Sequence, residues 1–130
     1  MSKLTFRRDS GQVVLTSHHR MVGIWDAHND VARRSAGQWP DGRYAWSHYN
    51  PHAEAGLLPA ASHAAYGSTG IHVFTVRGRP GLGVHAGRTV GKPFELGGVT
   101  MGCIRVPAEA MYMINDTHRV DPIEELEIAK

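Results

Sequence analysis

Hydrophobic residues recur along this chain in short alternating or β-branched runs, cut by glycine, proline and Asx turns, and that rhythm predicts strands rather than long helices. Leu4-Thr5-Phe6 alternates, Asp9-Ser10-Gly11 is turn chemistry, and Gln12-Val13-Val14-Leu15-Thr16 returns as a β-branched run, so the chain opens with a predicted hairpin. Met21-Val22-Gly23-Ile24-Trp25 is the next strand, ended by the polar stretch Asp26-Ala27-His28-Asn29-Asp30. Trp39-Pro40-Asp41-Gly42 turns the chain into Arg43-Tyr44-Ala45-Trp46, a strand with aromatics on one face. Ile71-His72-Val73-Phe74-Thr75-Val76 is the clearest strand. Arg77-Gly78-Arg79-Pro80-Gly81 returns it through Leu82-Gly83-Val84-His85, which puts the His85 ring on the face opposite Leu82 and Val84.

Two regions break the β rhythm. Residues 48–70 show no sustained period and read as a long loop with at most one helical turn. Loops of that length often act as lids, and Tyr49, His52, His63 and Tyr66 are available there to line a cleft. From Pro107 to about Asn115 the pattern is helical, with proline in the first turn and Met111 and Ile114 facing inward. Asp121-Pro122-Ile123-Glu124-Glu125, an N-cap residue followed by proline and acids, predicts one more short helix or a capped turn. The sum is a single mainly β domain over residues 1–130 with one or two short helices.

Composition narrows the reading without changing it. A chain of 130 residues with 42% hydrophobic content can build an ordinary core without metal or disulfide staples. A net charge of +2 gives no reason to expect nucleic-acid binding. No stretch is long and apolar enough to be an integral membrane segment. The start, Met1-Ser2-Lys3-Leu4-Thr5-Phe6-Arg7-Arg8-Asp9, lacks the apolar segment and cleavage site of a signal peptide. A monomer is expected.

Candidate chemistry gathers late in the chain. Cys103 is the only cysteine, preceded by Gly102 and followed by Ile104 and Arg105, a setting unlike the apolar runs that hold structural thiols. A thiolate is favoured near a positive group or a helix N-terminus, and Arg105 and the helix opening at Pro107 offer both. His85 lies eighteen residues upstream, and Gly87, Gly91, Pro93, Gly97 and Gly98 forbid one helix joining the two, so they must meet through folding. Cysteine enzymes of the papain type carry the cysteine before the histidine, and caspases have a wider gap and a different cysteine context. The bland alternatives are an inert buried cysteine, a satisfied strand-end histidine and a surface ion pair for Arg105.

The segment from His85 and Gly87 to Thr100-Met101-Gly102-Cys103-Ile104-Arg105 resembles the catalytic signature of the bacterial L,D-transpeptidases, in which a histidine precedes Ser/Thr-x-Gly-Cys-Ile/Val-Arg. The match covers about a sixth of the chain. What the resemblance implies is a small β-sandwich whose nucleophile lies in a cleft beneath a lid. It also implies a Cys103 acyl-enzyme with His85 as base, formed from the tetrapeptide stems of peptidoglycan with release of terminal D-alanine. An amine acceptor gives 3-3 crosslinks or D-amino-acid exchange. Water gives an L,D-carboxypeptidase or endopeptidase, a context that includes antibacterial effectors. Gly102, Thr100 and Met101 would form the oxyanion and nucleophile loop, and Arg105 would contact substrate; His72, from its strand position alone, is a second candidate for substrate contact. Such a protein acts in the bacterial envelope or periplasm, here by signal-independent export or with its leader trimmed.

Departures from the signature are Met101, where many relatives carry a polar residue, and Ala86, where glycine or serine is common. They leave a non-catalytic wall-binding domain as a reading of another class. No cofactor is implied. The remaining histidines suggest no metal site: His18 and His19 are adjacent, His48 and His52 flank Pro51, and no His-Glu-x-x-His helix exists. His72 shares a predicted face with Phe74 and Val76, so core packing competes with a role at the cleft. Arg77, Arg79 and Arg88 are solvated turn charges or a rim attracting carboxylates.

Overall fold

A computed structural model describes residues 1–27, 29, 39–51, 69–79, 81–86 and 103–129. The predicted loop body at 52–68, with His52, His63 and Tyr66, lies outside these residues, as do Arg88, Thr100, Met101 and Gly102. The described residues form β1 (Ser2–Arg7), β2 (Gln12–Ser17), β3 (Arg20–Asp26), β4 (Gly42–Asn50), β5 (Ile71–Phe74), β6 (Gly83–His85), β7 (Ile104–Arg105), α1 (Ala108–Val120) and β8 (Ile123–Ala129).

The strands hydrogen-bond in the order β3-β2-β1-β8-β4-β5-β6-β7. The opening hairpin forms as predicted, with Leu4 opposite Leu15 and Phe6 opposite Val13. Alternation places Leu4, Phe6, Val13 and Leu15 in the core. β4 joins the two halves of the sheet. Its first part, Gly42 to Ala45, pairs with β8, whereas Trp46 to Asn50 pairs with β5 after a register shift that leaves Ser47 extra. A bulge of this kind bends and twists a strand, so the sheet curls there around one continuous core. The predicted β-rich architecture therefore stands, with one helix among the described residues.

Three sequence expectations are corrected. The strand from Arg43 runs on through His48 and Tyr49 to Asn50, because β5 offers it a partner. The clearest predicted strand ends at Phe74, where the backbone N–H of Thr75 turns to the Ala45 carbonyl, so Val76 is not on it. The third concerns the C-terminal segment, which is a central strand rather than a second helix. Ile123 and Leu126 are three apart, as on a helix face, because Glu124 is an extra residue between the pairs Ser2–Ile123 and Lys3–Glu125. Beyond that bulge Leu126 and Ile128 alternate into the core. Glu125, one of the acids that suggested a helix N-terminus, instead meets Lys3 of β1 at 3.4 Å, and Glu127, two residues on, meets the same lysine at 2.7 Å.

α1 is longer than expected, reaching Val120, and it buries Ala110, Met111, Ile114 and Thr117. Ile123, just after it, donates its backbone N–H to His118 Nδ1 at 3.0 Å, tying the last turn of α1 to β8.

Candidate active site

The register of β6 and β7 defines the site. These strands are parallel, with Val84 beside Ile104 and His85 beside Arg105. Val84 and Ile104 are fully buried and point one way, so His85 and Arg105 point the other. Cys103 immediately precedes β7 and alternation returns it to the face of Arg105 and His85. The folding step required by the glycine-rich interval is thus a parallel strand pairing. Cys103 and His85 are 8% and 6% exposed.

The thiol has specific neighbours. Cys103 Sγ lies 3.8 Å from the Gly81 carbonyl. Burial pushes its pKa up, opposed by a hydrogen bond from the Gly83 backbone and by the positive charge of Arg79. The sequence expectation of a lowered pKa from Arg105 and the helix is therefore reversed: desolvation dominates, and the charge that acts is Arg79. Gly83 is required by close approach, since a Cβ there would stand 2.2 Å from the His72 carbonyl oxygen.

Arg105 turns back along the site rather than toward the helix acids, donating Nε–H to the Ala86 carbonyl at 2.8 Å. Val106 donates its N–H to the His85 carbonyl at 2.9 Å. Together they fasten the chain leaving β7 to the chain leaving β6.

His72 lies elsewhere. It is in register with Val84 and Tyr49, and so occupies the sheet face opposite His85, against α1. Trp46 Nε1, which can only donate, reaches His72 Nδ1 at 3.2 Å. The ring must therefore be the Nε2–H tautomer, donating to Asn115 Oδ1 at 2.7 Å. Burial, with His118 5.1 Å away, lowers its pKa to about 4, although the Asn115 bond works the other way. The expectation of substrate contact by His72 meets a residue with both nitrogens engaged on the other face. A small pocket lined by Tyr49, His72, Asn115, His118 and Arg119 opens on that same side.

Among the described residues no group of three or more His, Cys, Asp or Glu could hold a metal ion, and no helix is long and apolar enough to cross a membrane. His18 and His19 are the two loop residues between β2 and β3. One residue near the thiol escaped sequence reasoning: Asn29, which read only as part of a polar strand ending, donates Nδ2–H to the Cys103 carbonyl at 3.0 Å. Nothing local in the sequence signals a contact across 74 residues.

No family model matches the chain, and no curated protein matches it. Solved structures do. The L,D-transpeptidase of Xylanimonas cellulosilytica aligns over 98% of this chain and 60% of its own, at 17% identity and a TM-score of 0.63. An L,D-transpeptidase from Mycobacterium smegmatis aligns over 99% of this chain and 58% of its own, at 15% identity and a TM-score of 0.62. The helical cell shape determining protein Pgp2 of Campylobacter jejuni gives 11% identity and a TM-score of 0.71 over 99% of this chain and 47% of its own. The chain thus spans between about half and three fifths of the length of these proteins. At such identities the likeness establishes the fold, which is that of L,D-transpeptidase domains.

Proposed function

We propose that this protein is an L,D-transpeptidase-like cysteine enzyme acting on peptidoglycan stem tetrapeptides in the bacterial envelope. The observation that supports the reading most is the parallel β6–β7 pairing, which sets the strand entered by Cys103 beside the strand ended by His85. A fold shared with L,D-transpeptidases and the signature around Cys103 point the same way.

In the proposed reaction His85 takes the Cys103 proton as Sγ attacks the diaminopimelate carbonyl, forming the S–C bond. Backbone N–H groups at Gly102 and Cys103 hold the oxyanion, with Thr100 and Met101 shaping the same loop. The C–N bond to terminal D-alanine breaks, and the leaving amine takes the proton from His85. An acceptor amine then attacks the thioester, gives up its proton through His85 and restores the thiol. Burial keeps Cys103 a neutral thiol at rest, so deprotonation belongs to the attack itself. Arg105 braces the loop through Ala86, and its positive charge suits a substrate carboxylate. The step needs no cofactor.

The test is mass spectrometry of tetrapeptide muropeptides incubated with the protein and with a Cys103→Ala control. Cysteine-dependent dimers lacking one D-alanine are expected. Shortened monomers alone would move the assignment to hydrolysis by the same pair, and unchanged muropeptides would contradict catalysis on this substrate and favour a wall-binding domain.

A further inference from the structure

We propose that Asn29 is a positioning residue for the Cys103 nucleophile, held in place by Arg8; the inference rests on the reading of Cys103 given above. The Cys103 carbonyl takes a hydrogen bond from a side chain. The Val106 N–H points to the His85 carbonyl, so by alternation Ile104 and Val106 turn their backbone groups toward β6. Cys103 and Arg105 turn theirs away. β7 is the last strand of the described sheet, so that side faces away from β6. A buried carbonyl without a donor is costly, by roughly 1–3 kcal/mol. Asn29 Nδ2 supplies the donor to Cys103 at 3.0 Å.

The side chain that does this is itself fixed at its other end. Asn29 is 4% exposed. Its Oδ1 accepts from Arg8 Nη1 at 3.3 Å and from the Trp39 backbone N–H at 3.2 Å. These two donors settle the amide orientation, leaving Nδ2 to face Cys103. Arg8 is anchored in turn: its Nη2 donates to the Trp39 carbonyl and meets Asp41 Oδ1 at 3.0 Å. Trp39 is fully buried, with its ring 6.2 Å from that of Phe74. A chain of polar contacts therefore runs from the turn after β1, through the β3–β4 connection, to the peptide plane that follows Cys103.

The consequence is geometric. Fixing the 103–104 peptide plane fixes the direction in which Cα–Cβ leaves the backbone, and so the positions Sγ can reach, which include its contact with the Gly83 N–H, the one that opposes its burial-raised pKa. With that plane released, Sγ swings off Gly83 and the thiol becomes both harder to ionise and less well aimed.

Asn29→Ala tests this without adding a charge. In the folded variant, kcat for D-alanine release should fall about ten- to a hundredfold, with KM changed less than about threefold. The pH midpoint of Cys103 alkylation by iodoacetamide should rise by roughly half a unit. A merely structural asparagine would lower the melting temperature and leave both the kcat–KM split and the alkylation midpoint alone; that result overturns the proposal. The alkylation arm needs no substrate, so it decides the inference even if the parent protein proves inactive on muropeptides. Should Asn29→Ala fail to fold, Arg8→Lys takes its place, keeping the charge beside Asp41 and losing the fork on Asn29 and Trp39. A same-direction shift of the midpoint is then expected, and an unchanged midpoint refutes the role.

Discussion

Cys103 carries opposed influences. Removal from water raises its pKa, and Arg79 and the Gly83 backbone lower it. Replacing Arg79 with glutamine should therefore move the midpoint of the alkylation profile upward. An unchanged midpoint would mean that the charge is screened at the thiol. The catalytic candidates were legible in the sequence because the cysteine signature is local: a glycine, a cysteine and an arginine in one short run, with a histidine at fixed distance. The residues that tune the thiol were not. Arg79 read as one of three turn charges, and Asn29 as a strand ending, because what distinguishes each is proximity created by the fold. His72 illustrates the reverse case. It sits in the strand next to that of His85, yet register puts its ring on the other face, a distinction that alternation within a single strand cannot supply.

Elements formed where local chemistry and long-range pairing agree. The hairpin of β2 and β3 is closed by His18 and His19, both at positive φ (51° and 63°), between the paired residues Ser17 and Arg20. Two left-handed residues in a two-residue loop are the mark of a type I′ turn, which favours Asn-Gly over a pair of histidines. The double change His18→Asn and His19→Gly should stabilise the protein by about 1–2 kcal/mol. The check is the urea midpoint at constant m-value; a lower midpoint would show that the histidine side chains contribute more than the backbone strain costs. β8 shows the opposite situation. Its pairing with β1 joins residues from the two ends of the chain, and its bulge disguises strand alternation as helical spacing. Leu126, fully buried between β1 and β4, reports its worth: Leu126→Ala should cost about 2–5 kcal/mol. A loss below about 1 kcal/mol in chemical denaturation would contradict β8 as a central core strand. α1 outran its prediction because Asn115 and Thr117, poor helix formers, are retained by tertiary contacts, one with His72 and one by burial.

The whole molecule places His72 and His85, the buried histidines among the described residues, on opposite faces of one curled sheet. His72, on the helix side, has consequences for stability rather than chemistry. Its pKa is about 4 in the folded protein and 6.5 when exposed, so between those values the unfolded chain binds more protons and stability rises with pH. Acidification from pH 6.5 to about 4 should therefore remove roughly 3 kcal/mol. Carboxylates act in a lower window: Asp121, held ionised chiefly by Ser17 Oγ, and Glu127, held by Lys3, lose their contributions only as pH falls below their ordinary values. His72→Gln should be less stable at neutral pH but show a flatter melting temperature from pH 6.5 to 4; an unchanged slope would assign the acid sensitivity elsewhere. On the other face, the proposed function rests on one event, acyl transfer to Cys103. The most direct measurement is the intact mass of the protein after brief mixing with a stem tetrapeptide. A transient adduct equal to the tetrapeptide less D-alanine is expected, mapped to Cys103 and absent in Cys103→Ala. D-alanine release that persists in Cys103→Ala, or an adduct mapped to another residue, would contradict it.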